Sequence, residues 1–426
     1  MLYLKNGYLV DPASGTEGYR DILIGNGRII RIVPQGVPME AQEPVQVIGL
    51  NGRHVVPGLV DVHVHFRDPG FTYKEDIHTG AAAAARGGFT SVVLMANTNP
   101  PVDNPETLSY VLDKGRETPI HVYTCANVTK GMKGRELTDM EELGELGAAG
   151  FTDDGIPLLD EDLLREALRR AAKLHKPVSL HEENPALIRN NGVHSGKASE
   201  HFGIGGSPRE AEISMVERDL RIAMTEEADL SIQHISTKEA VELVRQAKQK
   251  SSHIYAEATP HHFTLTQDAV IRHGTLAKMN PPLREEEDRL AIIEGLKDGT
   301  IDMIATDHAP HSTEEKAKPL TEAPSGIIGL ETALSLGIRE LVNKGYLTMS
   351  ELVKKMSYAP AQLYRLDAGY IAEGGPADLV VLDVQKEWMV ERFASKAMNS
   401  PFIGEKLPGV ISYTICGGEV VYFQTI

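Results

Sequence analysis

The sequence predicts an α/β protein: a parallel (β/α)8 TIM-type barrel with a small β-sandwich domain assembled from both chain ends. Two observations point to it. Eight short apolar runs that end in polar residues follow one another, with helical patterns between them. β-rich segments punctuated by glycine turns flank this array on both sides. A doubly wound sheet also alternates, but it usually has fewer strands and opens on a glycine-rich phosphate loop. No such loop is present in the sequence.

Taken in order, residues 1–55 read as short strands, with Gly25-Asn26-Gly27 as a hairpin signal inside "DILIGNGRIIRIVP". The eight runs then follow: "GLVDVHVHF", "TSVVLMANT", "IHVYTCANV", "AAGFTDDG", "PVSLHEEN", "LSIQHIST", "IYAEATPHH" and "IDMIATDHAP". Helices such as "DEDLLREALRRAAKLH" and "STKEAVELVRQAKQK" separate them. Ser236 with Glu239, and Thr138 with Glu141, have the spacing of capping boxes. The chain closes on "ADLVVLDV" and "ISYTICGGEVVYF", with a Gly417-Gly418 turn. The expected division is a β domain of residues 1–55 plus 366–426 and a barrel of residues 56–365.

The chain has 426 residues, 41% hydrophobic and 24% charged, which is ordinary for a soluble globular protein. A net charge of −17 argues against nucleic acid or an anionic membrane as a partner, so a small molecule is expected. An anionic substrate must then be caught by a local positive site. Two cysteines, Cys125 and Cys416, are too few for a disulfide scaffold or a thiolate zinc site. "MLYLKNGYLV" lacks the apolar core of a signal peptide, and no run reaches the roughly 20 apolar residues of a membrane span. A cytoplasmic protein is expected.

Chemistry is concentrated at the ends of the runs. In "VDVHVHF", His63 and His65 lie two apart, so on a strand both face one side while Val62, Val64 and Phe66 face the other. Run five ends in His181, run six in His234, run eight in Asp307, and run four in Asp153-Asp154. In a barrel these ends share one rim. Imidazoles and carboxylates without thiolate suit Zn²⁺, and six candidates suggest two ions per subunit, roughly 3.5–4 Å apart. One aspartate of the pair is expected to bridge them; alternation says only that Asp153 and Asp154 point to opposite faces. Arg67, two past His65, starts on the same side and offers a planar fork to a substrate carboxylate. Its bland alternative is a surface salt bridge to Asp68 or Glu75. Asn97 ends strand two and can add a donor. His54, His78, His175, His194, His201, His253 and His273 are expected on the surface. His261 and His262 are candidates to stand behind the ligands, and His308 and His311 to touch substrate. The stretch 308–326 is either a mobile loop over the mouth or a solvated linker.

The combination "VDVHVHFRDPG", "MANTNP", "GFTDDG", "HEEN", "QHIST", "KMNPPLR" and "IATDHAPH" resembles the amidohydrolase superfamily and, within it, the bacterial type I dihydroorotases, from about residue 50 to residue 420. The resemblance implies that His63, His65 and Asp307 hold one zinc, that His181 and His234 hold the second, and that Asp154 bridges them. It implies Asp307 as general base and acid. It implies substrate contacts from His65, Phe66, Arg67, Asn97, Asn280, His311, and the backbone near Ser325 and Gly326. Ala96 stands where the family often has proline, and Ser325 where it often has phenylalanine.

The implied activity is the reversible cyclisation of N-carbamoyl-L-aspartate to L-dihydroorotate and water, the third step of de novo pyrimidine biosynthesis, by a homodimer that could associate with aspartate transcarbamoylase. The rivals are a hydantoinase, dihydropyrimidinase or allantoinase, and an inactive structural partner of aspartate transcarbamoylase. Hydantoinase-type relatives typically bridge their metals with a carbamylated lysine. Here no lysine lies between Lys133 and Lys173, and the inactive partners usually lack the ligands that this chain keeps.

Overall fold

The computed structural model describes residues 1–38 and 44–424. Strands β1 (Leu2–Asp11), β2 (Thr16–Gly25) and β3 (Arg28–Pro34) form an antiparallel meander, and β4 (Gln46–Gly49) and β5 (His54–Pro57) run parallel to β1. Asn26 and Gly27 have φ of 51° and 72°, the positive values that a two-residue hairpin turn needs. From the other end of the chain come β13 (Leu379–Met389), β14 (Lys406–Cys416) and β15 (Glu419–Phe423). Antiparallel pairing of β13 with β5 joins the two ends into one sheet, in the order β15-β14-β13-β5-β1-β2-β3. The sheet curls on itself: Ala377 N–H donates to Gly27 O at 3.0 Å, and Gly418 N–H to Ala377 O at 3.0 Å. It encloses a core of its own that includes Leu4, Leu9, Ile22, Ile24, Leu379 and Ile415.

Between these ends lie β6 (Leu59–Val64), β7 (Phe89–Leu94), β8 (His121–Thr124), β9 (Val178–Leu180), β10 (Leu230–Ile232), β11 (Ile254–Ala258) and β12 (Met303–Ile304). They form two parallel sheets, β6-β7-β8 and β9-β10-β11-β12. Single parallel bridges close the ring, Ala126 to Phe151 to Val178 on one side and Val64 to His308 on the other. The fourth run is therefore a strand only at Phe151. Part of the physical reason is Asp153, whose carboxylate takes the N–H groups of Val128 and Thr129 from the neighbouring segment. The seam at β12 is held by buried Asp61, which accepts from Thr306 N at 3.2 Å and His63 N at 3.1 Å; burial pushes its carboxyl up to about 7. Because every strand is parallel, all C-terminal ends meet on one rim.

Neither expected capping box forms, and each helix is capped by the next residue along instead. Thr237 caps helix Lys238–Lys248 and Asp139 caps helix Met140–Glu145. The hydroxyls one position earlier are buried and already engaged: Ser236 donates to Glu212 at 2.8 Å, and Thr138 to the Asn127 carbonyl at 2.8 Å. A tertiary hydrogen bond displaced the local one.

Helix Ile77–Arg86 lies on the barrel through its small residues. A Cβ built at Gly80 would stand 2.4 Å from Phe66 Cδ1. Gly80→Ala, which in an exposed helix would stabilise, is expected here to cost about 1–3 kcal/mol through overpacking. Urea unfolding of the variant checks it; an unchanged or raised midpoint would show that the ring has room to move.

Candidate active site

His63, His65, Asp154, His181, His234 and Asp307 are all buried, and they converge on the rim. His63 Nε2 lies 3.5 Å from Asp154 Oδ1 and 3.5 Å from Asp307 Oδ1. His65 Nε2 lies 3.0 Å from Asp307 Oδ1 and 3.5 Å from Asp154 Oδ2. His234 Nε2 is 4.0 Å from Asp154 Oδ1 and 2.9 Å from His181 Nδ1. Three overlapping ligand groups result: His63–His65–Asp154, His63–His234–Asp307 and Asp154–His181–His234. Asp154, His63 and His234 each belong to two of them, and of the three only Asp154 has two oxygens with which to bridge.

The adjacent aspartates are thereby told apart. Asp153 turns into the loop behind the barrel, where its oxygens take the Val128 N–H at 2.9 Å and the Thr129 N–H at 3.2 Å. Asp154 faces the imidazoles. Burial alone would raise its pKa, but His63, His65 and His181 hold it far below the usual carboxylate range. Burial likewise opposes charge on His63, and Glu257, Asp154 and Asp307 outweigh it and hold its imidazole well above the usual value. His234 is pushed well below that value by burial and by His181 and His63.

These residues fit divalent cations. His63 Nε2 is buried and has no hydrogen-bond partner among the described residues. Two buried imidazole nitrogens 2.9 Å apart, on His181 and His234, must share a proton or point at a common cation. The donors are nitrogen and oxygen only, the set that suits Zn²⁺ and its borderline substitutes.

The sequence reading did not single out the residues that orient the ligands. Glu257, from β11, accepts from His63 Nδ1 and from His234 N–H at 3.2 Å. Glu183 faces His181 Nε2 at 3.3 Å and accepts from Ser207 Oγ at 2.7 Å. Such partners set the ring orientation and tautomer of a ligating histidine. One signal was available for Glu257: a carboxylate at an inward position of an otherwise apolar strand.

The cleft above the cluster measures about 560 Å³, counting its open mouth, a volume suited to a small molecule. Arg67, Asn97, Asn280, His311, Ser325 and Gly326 all line it. Arg67 pairs with neither Asp68 nor Glu75. Asp68 is held by Lys114 and Tyr110 at 2.6 and 2.9 Å, and Glu75 by Ser395, Thr79 and His308. Arg67 donates instead to the Pro310 carbonyl at 3.2 Å, which leaves its fork without a carboxylate among the described residues. Asn280 Oδ1 has no hydrogen-bond partner among the described residues.

Several expectations are corrected. Phe66 does not present its side chain to the cleft: the ring is buried against Gly80 and edge-on to His308, as strand alternation from His65 requires. Asn97 lines the cleft, but its amide is engaged, Oδ1 with His65 Nδ1 at 3.0 Å and Nδ2 with Asp154 Oδ2 at 3.1 Å. His308 is buried and accepts the Gly329 N–H at 3.2 Å, away from the cleft. His262 touches no ligand; it bonds Thr259 Oγ1 and the Pro281 carbonyl. His194 is not on the surface but buried against Arg284 at 3.0 Å. Stretch 308–326 lines the cleft at Ala309, His311, Ser325 and Gly326 and carries helix Thr313–Lys316, whose buried Lys316 donates to the Pro324 and Gly326 carbonyls.

A model of the amidohydrolase family matches residues 54–421, and the chain belongs to that family. Among the curated relatives, a dihydroorotase of Clostridioides difficile (strain 630) is 53% identical over 99% of this chain and 100% of its own length. A dihydroorotase of Lactococcus lactis is 50% identical over 99% of both chains. These relatives place the chain among the dihydroorotases. Among solved structures, the L-hydantoinase (dihydropyrimidinase) from Arthrobacter aurescens superposes with a TM-score of 0.87 at 26% identity, over 100% of this chain and 96% of its own. A D-hydantoinase from Thermus sp. does so with 0.85 at 25%, over 100% and 97%. Among the described residues no helix is long and apolar enough to cross a membrane.

Proposed function

We propose that this cluster holds two zinc ions and that the cleft interconverts N-carbamoyl-L-aspartate and L-dihydroorotate in the cytoplasm. The supporting observation is Asp154, shared by two ligand groups, beneath a cleft where Arg67 meets no carboxylate among the described residues. In this reading His63, His65 and Asp307 hold one ion, His181 and His234 the other, and Asp154 both. Divalent ions held there supply a hydroxide nucleophile near neutral pH and an electrophile for the ring carbonyl.

The side chains supply the rest. Asp307 stands at 3.0 Å from His65 Nε2 with its carboxylate at the cleft floor, placed to take a proton from the attacking water and deliver it to the leaving ring nitrogen. In the closing direction the same carboxyl runs the transfer backwards. Arg67 receives the substrate carboxylate bidentately. Asn280 Oδ1 is a free acceptor for a ring N–H. Asn97 fixes His65 and Asp154, which keeps the floor rigid while the substrate reacts.

Purified protein is expected to hydrolyse dihydroorotate and to lose that activity on chelation. Turnover of hydantoin or allantoin but not dihydroorotate would move the assignment to those rivals. Absence of metal after reconstitution would revive an inactive partner of aspartate transcarbamoylase. Arg67→Met is expected to raise KM for dihydroorotate about 10- to 100-fold, the weight of a charge-assisted pair, with kcat changed much less. The homodimer and its association with aspartate transcarbamoylase belong to the same proposal, and size-exclusion chromatography of the chain alone and with that enzyme tests both.

A further inference from the structure

Ser325 and Gly326 line the cleft, and each of the four carbonyls of Ala323–Gly326 is already engaged. Lys278 Nζ donates to Ala323 O at 2.6 Å. Lys316 Nζ donates to Pro324 O at 2.8 Å and Gly326 O at 3.0 Å. Asn399 Nδ2 adds a bond to Gly326 O at 3.1 Å, and His311 Nε2 lies 2.8 Å from Ser325 O. A carbonyl can only accept, so the 2.8 Å contact with Ser325 O calls for the proton on His311 Nε2; Arg67 Nη2 lies 3.4 Å from the same nitrogen, and Nδ1 lies 3.3 Å from Lys74 Nζ.

Both lysines are unusual. Each is only 5% exposed, and neither has a carboxylate partner within ion-pair distance among the described residues. Burying an ammonium group without a counter-ion is costly, and such groups persist where they have a task. Burial pushes Lys278 down, and burial together with Lys278 brings Lys316 down to about 7. An amine donates two hydrogen bonds in either state.

The consequence is a polarity imposed on the backbone. Gly326 N–H is bound to Lys278 O at 2.8 Å, whereas Ser325 N–H has no acceptor among the described residues. Gly326 sits at φ +117°, and a Cβ there would come within 2.5 Å of Ala309 Cβ, so the turn is closely packed. A carbonyl turned into the cleft would repel an anionic substrate, and a free N–H attracts one.

We infer that Lys316 and Lys278 are positioning residues that hold the Ala323, Pro324 and Gly326 carbonyls away from the cleft, so that the Ser325 N–H meets the anionic substrate. This rests on the dihydroorotase reading above. Lys316→Met and Lys278→Met are expected to raise KM for dihydroorotate at least tenfold, with kcat within about threefold and metal content unchanged. Ser325→Pro, which removes the N–H, is expected to raise KM similarly. Combining it with Lys316→Met should add little further, because both changes remove the same contact.

Unchanged KM in both lysine variants, or in Ser325→Pro, would overturn the inference. So would a multiplicative effect in the double variant, or a loss confined to kcat and bound metal. If one lysine variant fails to fold, the other and Ser325→Pro still decide. A wild-type protein that does not turn over dihydroorotate would instead remove the reading beneath it.

Discussion

Asp307→Asn is expected to lower kcat by about 10³-fold or more in both directions, with KM for dihydroorotate changed little. The amide keeps the shape and one ligating oxygen but cannot accept and return a proton, and general acid–base transfer is typically worth 10²- to 10⁴-fold. Asp307 is also within reach of His63 and His65, so metal content must be measured alongside. A variant that keeps the metal content of the unaltered protein and loses kcat assigns the proton transfer to Asp307. A variant that keeps that content and most of its activity would remove Asp307 from that role, and another group would have to carry the proton.

Glu257→Gln is expected to weaken metal binding about 10- to 100-fold, although the residue is not placed to touch an ion. Glu257 receives the His63 Nδ1–H and helps to hold that ring above its ordinary pKa, and it also accepts from the His234 backbone. It therefore steadies ligands from two strands. Losing the charge weakens the hold on the ring and lowers the basicity of the nitrogen that faces the cluster. Competition with a chromophoric chelator measures the affinity, and added Zn²⁺ should restore activity. Affinity equal to that of the unaltered protein would show that packing alone orients His63.

The residues that meet at the rim were legible because their cause is local. Side chains alternate along a strand, so His63 and His65 had to share a face, and Phe66 had to leave it. The parallel order of the strands followed from the repeated strand–helix units, and that order sends the ends of distant runs to one rim. Other features were not legible, since neighbours in space settled them. Ser236 and Thr138 had the right spacing to cap helices, but Glu212 and the Asn127 carbonyl engaged them. His194 looked like a surface residue in a polar stretch, yet Arg284 and the Ser207 segment bury it.

By itself, then, the chain's order of residues determined an alternating barrel, a histidine- and aspartate-rich rim and a cationic residue beside it, since each depends on periodicity within a short segment. Only the tertiary structure decided which of two adjacent aspartates faces the cluster, that Glu257 and Glu183 stand behind its imidazoles, that Asn97 is engaged by the floor, and that two buried lysines bond a loop's carbonyls. Those choices depend on which donors arrive from segments tens to hundreds of residues away. A buried polar group takes the partner that space provides, whatever its sequence neighbours suggest.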